Sequence, residues 1–206
     1  MPVNMEKAKL LHFLEGKNQV QRPTTGDIFY VIDGNALLQA MVAIPSTFGD
    51  LADSVFEQLP KVHRVDFVTD SYHPLSIKEV ERSRRGTSAP HLVRGPLTKV
   101  PRDWKKFLSN GENKRRLSNF LLEEWKNDRF AEKLQGREVV VVCEEKAVCL
   151  TGVNGQQTVS EEMLELCSTQ EEGDTKMILH CHHNAANTPE TSTIIVRSPD
   201  TDVNIT

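Results

Sequence analysis

The stretch Ile28-Phe29-Tyr30-Val31-Ile32-Asp33-Gly34-Asn35, continued by Ala36-Leu37-Leu38-Gln39-Ala40-Met41, decides the fold reading. Its apolar run reads as a buried strand. Gly34-Asn35 turns the chain, and the strong helix formers that follow begin a helix. The unit is β-turn-α, with a carboxylate at the carboxyl end of its strand. The same pattern returns twice: Val65-Asp66-Phe67-Val68-Thr69 closes on Asp70, and Thr193-Ile194-Ile195-Val196-Arg197 runs towards Asp200 and Asp202. Strands are predicted near 28–32, 64–69, 138–142 and 193–197, with another at 147–151 and a turn over 152–155. Helices are predicted over 5–15 and 50–59, from Pro74 to about Arg85, over 171–185, and as a pair between Asp103 and Lys133 broken at Asn110-Gly111. This alternation predicts an α/β domain with a central, mainly parallel sheet flanked by helices.

A chain of 206 residues suits one such domain, and 38% hydrophobic with 26% charged residues excludes a mostly disordered chain. Residues 1–26 read as an N-terminal helix and polar connection. Residues 27–206 read as the domain, carrying a basic helical and loop insertion at about 75–134, within which 86–101 is a loose loop rich in Gly, Pro, Ser and Thr. The N-terminus, MPVNMEKAKLLHFLEG, carries acids and bases throughout and so is neither signal peptide nor membrane anchor. No apolar run approaches the roughly 20 residues of a spanning helix. The four cysteines show no CxxC spacing and read as the reduced thiols of an intracellular protein, nuclear or cytoplasmic. His180-Cys181-His182-His183 has zinc-ligand residue types, but four consecutive positions point around a helix and no second pair has suitable spacing.

The net charge of −4 hides an asymmetry: residues 78–116 hold twelve Lys and Arg, whereas the C-terminal third is acidic. In open α/β sheets the ligand crevice lies outside the carboxyl ends of the strands. Six acids are expected there: Asp33, Asp70, Glu172, Asp174, Asp200 and Asp202. Gathered without a cation they would repel one another and raise some of their pKa values, a repulsion that Mg²⁺ or Mn²⁺ relieves. Each motif also has a plain structural role. Ser198-Pro199-Asp200-Thr201-Asp202 is built of turn formers, and Glu171-Glu172-Gly173-Asp174 complements a helix dipole. Asp33 is more telling, because a carboxylate at a buried sheet edge needs a partner. Asp66 alternates to the opposite face or pairs structurally. The helix holding Lys78, Arg84 and Arg85 mixes signs as solvated helix surfaces do, and Trp104 and Trp125 are read as core before base-stacking platforms.

Ile32-Asp33-Gly34-Asn35, Phe67-Val68-Thr69-Asp70, Glu172-Gly173-Asp174 and Ser198-Pro199-Asp200-Thr201-Asp202 together resemble, in order and spacing, the acidic motifs of PIN-like nucleases, especially the flap-endonuclease branch. The Glu-Glu-x-Asp-Thr and Ser-Pro-Asp-Thr-Asp segments also resemble uncharacterised PIN-like proteins of mobile-element-rich animal genomes. The resemblance spans about residues 27–204 and implies a PIN-like three-layer fold. It makes Asp33, Asp70, Glu172, Asp174, Asp200 and Asp202 ligands of Mg²⁺ or Mn²⁺, and it gives Lys78 and Arg84 or Arg85 the scissile phosphate. Gly173 departs from the small helix former usual in that family. The helix-turn-helix that grips duplex in flap endonucleases has no counterpart after Thr206, which points to a truncated form acting on single-stranded or branched nucleic acid.

The reading is a nuclease that hydrolyses phosphodiester bonds of DNA or RNA, with two ions roughly 4 Å apart supporting an in-line displacement. No membrane partner is expected. The alternative is a non-catalytic PIN-like nucleic-acid-binding or scaffold module. A phosphatase ranks behind both, because Asn35 stands where an Asp-x-Asp nucleophile pair needs its second acid.

Overall fold

The computed structural model describes residues 27–72 and 89–198. The helices expected at 5–15 and from Pro74 to Arg85 lie outside them. The described chain runs β1 (Ile28–Asp33), α1 (Gly34–Ala40), α2 (Phe48–Glu57), β2 (Arg64–Val68), α3 (Trp104–Leu108), α4 (Gly111–Trp125), α5 (Ala131–Leu134), β3 (Glu138–Cys143), β4 (Lys146–Val153), β5 (Gln157–Glu162), α6 (Gly173–Asn187) and β6 (Thr193–Arg197). The strands form one sheet of order β5-β4-β3-β2-β1-β6. β3, β2, β1 and β6 are parallel, and β4 and β5 extend the sheet antiparallel. The protein is therefore an α/β fold with a mostly parallel central sheet flanked by helices.

Period-two alternation sorts the strands' side chains onto two faces. Ile32, Val65, Phe67, Val139 and Val141 pack under the helices that precede β3, with Phe48, Leu51, Val55, Leu121 and Trp125. Val31, Val68, Val140 and Val142 point the other way, against Met177 and Cys181 of α6. Both tryptophans are core residues. Trp125 Nε1 donates to the Ala52 carbonyl at 3.0 Å and Trp104 Nε1 to that of Leu38 at 2.8 Å. These bonds satisfy each indole's only donor. The side chains of α3, α4 and α5 thus form a layer of the main core.

The break at Asn110-Gly111 is present, with the Asn110 side chain capping α4 through the Asn113 amide at 3.1 Å. Gly34 and Asn35, read as a turn, already belong to α1, and the second helix of the pair expected up to Lys133 stops at Trp125, with α5 separate. Two further segments differ from the sequence reading. The expected loose loop over 86–101 is strapped down from residue 91 onward: Phe48 and Gly49 amides donate to Thr98 and Pro96 carbonyls at 2.9 and 2.8 Å, Val100 N to Ser46 at 3.0 Å, and His91 N to the Asn113 side chain at 2.6 Å. A segment without periodicity has here found its hydrogen bonds outside itself. The second difference is β5, which follows a tight turn at Asn154 and Gly155, both at positive φ (52° and 66°). The register pairs Val153 with Gln157, so three residues, Asn154 to Gln156, close the hairpin. Among the described residues no helix is long and apolar enough to cross a membrane.

Candidate functional site at the carboxyl edge of the sheet

Because β1, β2, β3 and β6 run parallel, their carboxyl ends share one edge, where Asp33 sits beside Val68 and Ile32 beside Arg197. Asp33 accepts the Ala36 amide at 2.9 Å and so caps α1. Burial pushes its carboxyl pKa up, and Asp70 and Asp174 add to the rise, against the lowering effect of the Ala36 and Asn35 amides. The structure therefore brings three of the expected acids, Asp33, Asp70 and Asp174, into one electrostatic neighbourhood.

Asp70 joins that edge to α6. Its Oδ1 accepts the Gly173 amide at 2.8 Å and its Oδ2 accepts the Tyr72 hydroxyl at 3.1 Å, while the Ser71 amide donates to the Glu171 carbonyl at 2.9 Å. A Cβ on residue 173 would stand 2.9 Å from Asp70 Oδ1. The absence of a side chain at Gly173 is thus what lets a carboxylate reach the helix backbone. Glu172 occupies the N-cap position of α6, without a side-chain cap bond, and Asp174 lies in the first turn.

Sequence reasoning missed Lys176, which is 1% exposed and donates to Ser71 Oγ at 2.7 Å. The signal was present: positions 173, 176, 177, 180, 181 and 184 repeat at helical spacing, which puts the lysine on the buried stripe. Asp66 does pair structurally. Fully buried, it accepts from Arg64 Nε at 2.8 Å and Asn184 Nδ2 at 3.1 Å and meets His180 Nδ1 at 2.8 Å. His180, taken in isolation a zinc-like residue, is committed there, and Cys181 lies in the core.

Asp200, Asp202, Lys78, Arg84 and Arg85 lie outside the described residues; β6, which precedes the first two, ends at this edge. Among the described residues no group of three or more His, Cys, Asp or Glu is arranged to hold a metal ion. The chain matches no family model, no curated protein and no solved structure.

A basic cleft adjoins the edge. It encloses about 520 Å³ and is lined by Gln39, Lys105, Leu108, Ser109 and Lys114. Lys114 Nζ stands 5.5 Å from the centre of the Tyr72 ring, whose hydroxyl is on Asp70. Lys99, Arg102, Lys105 and Lys106 are exposed nearby in sequence. Arg115 and Arg116 pair with Glu112, each at 2.7 Å, and hold its carboxyl down at about 2.

Asp33→Asn is expected to stabilise the fold at neutral pH. Asparagine keeps the cap and removes a charge that the folded state disfavours. A carboxyl pKa raised on folding costs stability fully above the folded value and nothing below the unfolded value of about 3.9. The gain should therefore be present in urea unfolding at pH of about 7 and gone at about 3. A gain that is equal at both would contradict the assignment.

Proposed function

We propose that the chain is a metal-dependent nuclease of the PIN-like kind, acting on the phosphodiester bonds of DNA or RNA. The observation that carries this reading is the gathering of Asp33, Asp70 and Asp174 at the carboxyl edge of the parallel sheet, where burial first, and the two neighbouring carboxylates after it, raise the Asp33 pKa. The donor set fits a hard divalent ion: all of its side chains offer carboxylate oxygens, the ligands Mg²⁺ and Mn²⁺ prefer. Asp33, Asp70, Glu172 and Asp174, with Asp200 and Asp202, would hold two such ions, which would supply activation of water and charge stabilisation at the leaving oxygen.

The protein's own groups do the rest. Gly173 N and Tyr72 Oη orient Asp70, and the Ala36 amide orients Asp33. Lys105 and Lys114 line the cleft beside Tyr72 and take the phosphate backbone of the strand entering the site, which a chain of net charge −4 would otherwise repel. Lys78 and Arg84 or Arg85 neutralise charge at the scissile phosphate.

The test is a labelled panel of single-stranded, duplex and branched DNA and RNA, incubated with Mn²⁺, Mg²⁺ or a chelator. Cleavage should require the ion, and Asp33→Asn should lower it by more than roughly a hundredfold, beyond the range of losses from groups that only support a ligand. Binding should weaken steeply with salt. Lys105→Ala and Lys114→Ala should each flatten that salt slope by about one while weakening all sequences alike. Salt-dependent binding without cleavage under any ion would leave the non-catalytic nucleic-acid-binding module in its place.

A further inference from the structure

Lys176 lies one turn into α6 with its side chain almost wholly buried, at 1% exposure. Its Nζ donates to Ser71 Oγ at 2.7 Å, to the Thr69 carbonyl at 3.5 Å and to the Glu144 carbonyl. Thr69 and Ser71 are the two neighbours of Asp70. Glu144 belongs to the turn between β3 and β4 and takes a left-handed backbone conformation, φ 55°. Thr69 is itself tied to β3 through its hydroxyl, which donates to the Val142 carbonyl at 2.8 Å. One ammonium thus gathers the segment after β2, the turn after β3 and the start of α6.

Stability alone does not account for this arrangement. Burying a lysine costs desolvation and rotamer entropy, and its contacts to neutral acceptors must first offset that cost. Burial accordingly lowers the lysine's pKa, against the raising effect of Asp70. Its three acceptors are neutral, so the contacts fix geometry more than they neutralise charge.

We infer that Lys176 is the positioning residue of the acidic edge: by holding both neighbours of Asp70, it sets that carboxylate where it receives the Gly173 amide. The inference rests on the metal-dependent reading and deepens it. Lys176 touches neither substrate nor ion. Its work is to keep the Asp70 segment and the first turn of α6 in register.

The test uses the full chain and Lys176→Met, which keeps the length of the stem without its donors. Residue-resolved amide exchange should show protection lost selectively at Ser71 and Gly173, with core amides such as Val141 and Leu121 unchanged. Mn²⁺ affinity, measured by calorimetry well below the melting temperature, should fall about tenfold or more. Lys176→Arg should fail to restore either readout, because a planar guanidinium does not converge on three acceptors around one point. Unchanged protection at both amides overturns the inference, and so does a uniform loss across the core. Equal or tighter Mn²⁺ binding by Lys176→Met overturns it as well, since that is the behaviour of a mere repelling charge. If Lys176→Met does not fold, Ser71→Ala decides, with the same local pattern expected at smaller amplitude and its absence counting against. Wild-type protein that binds no Mn²⁺ refutes the metal reading instead, and amide exchange alone then judges Lys176.

Discussion

Asp66→Ala is expected to cost the fold about 3 to 5 kcal/mol, the loss typical of removing one partner from a buried ion pair. Asp66 is fully buried in the middle of β2, and the Arg64 side chain that faces it is 9% exposed. Removing the carboxylate leaves that guanidinium with Glu138 at 3.6 Å, and leaves His180 and Asn184 each without an acceptor. Burial alone would raise the pKa of Asp66, but the His180 hydrogen bond and the Arg64 charge outweigh it and hold the carboxyl below its usual range. Its contribution is therefore present above the unfolded value of about 3.9 and is lost as pH falls through the folded value. Urea midpoints across pH check both statements. A loss below about 1 kcal/mol, the range of exposed pairs, would mean that the cluster is solvated. Asp66 and Asp33 thus have opposite pH signatures on one sheet face: ionisation of the first stabilises the fold, and ionisation of the second costs it stability.

Mn²⁺ is expected to stabilise the protein by about 2.7 kcal/mol when supplied at a hundred times its dissociation constant, as any ligand of the folded state alone would. Asp33→Asn together with Asp200→Asn should abolish the effect. The same pair should leave the metal-free protein no less stable, because it removes charge from a crowded edge. The comparison is made by thermal melts with and without ion. No shift at millimolar Mn²⁺ or Mg²⁺, or a shift that survives the double substitution, would remove the metal from the account. Asp66→Asn is the matching control: it should lower stability while leaving the increment from Mn²⁺ intact.

The fold was readable where hydrophobic period and punctuation agree. β1, β2, β3 and β6 all appear within a residue of their expected positions, and Asn110 follows the end of one helix and caps the next as its residue type demands. β5 was missed because only Val159 is apolar in Gln157–Glu162, so an exposed edge strand offers no alternation, although Asn154-Gly155 carried the hairpin signal. The strap over 91–100 was missed for a related cause: its hydrogen-bond partners lie just before and at the start of α2 and on α4, far away in sequence. For the site, strand-end carboxylates pointed to Asp33 and Asp70, since the end of a parallel strand is a place sequence can mark. Lys176 and Tyr72 were not legible as site residues. A buried lysine looks like a surface one until the helix stripe beneath it is traced, and Tyr72 acquires its role only from where Asp70 lies.

The bond between the Gly173 amide and Asp70, made possible by a missing side chain, has a consequence for how the two positions tolerate change. A methyl group at 173 stands in the space of the carboxylate, so Gly173→Ala should be damaging while Asp70 remains. Once Asp70 is shortened to alanine the space is free, and the second substitution should then cost far less than it does alone. Residues in contact through one shared atom pair show such non-additivity. Positions 70 and 173, 103 residues apart, should therefore behave in a combinatorial library as a single joint choice.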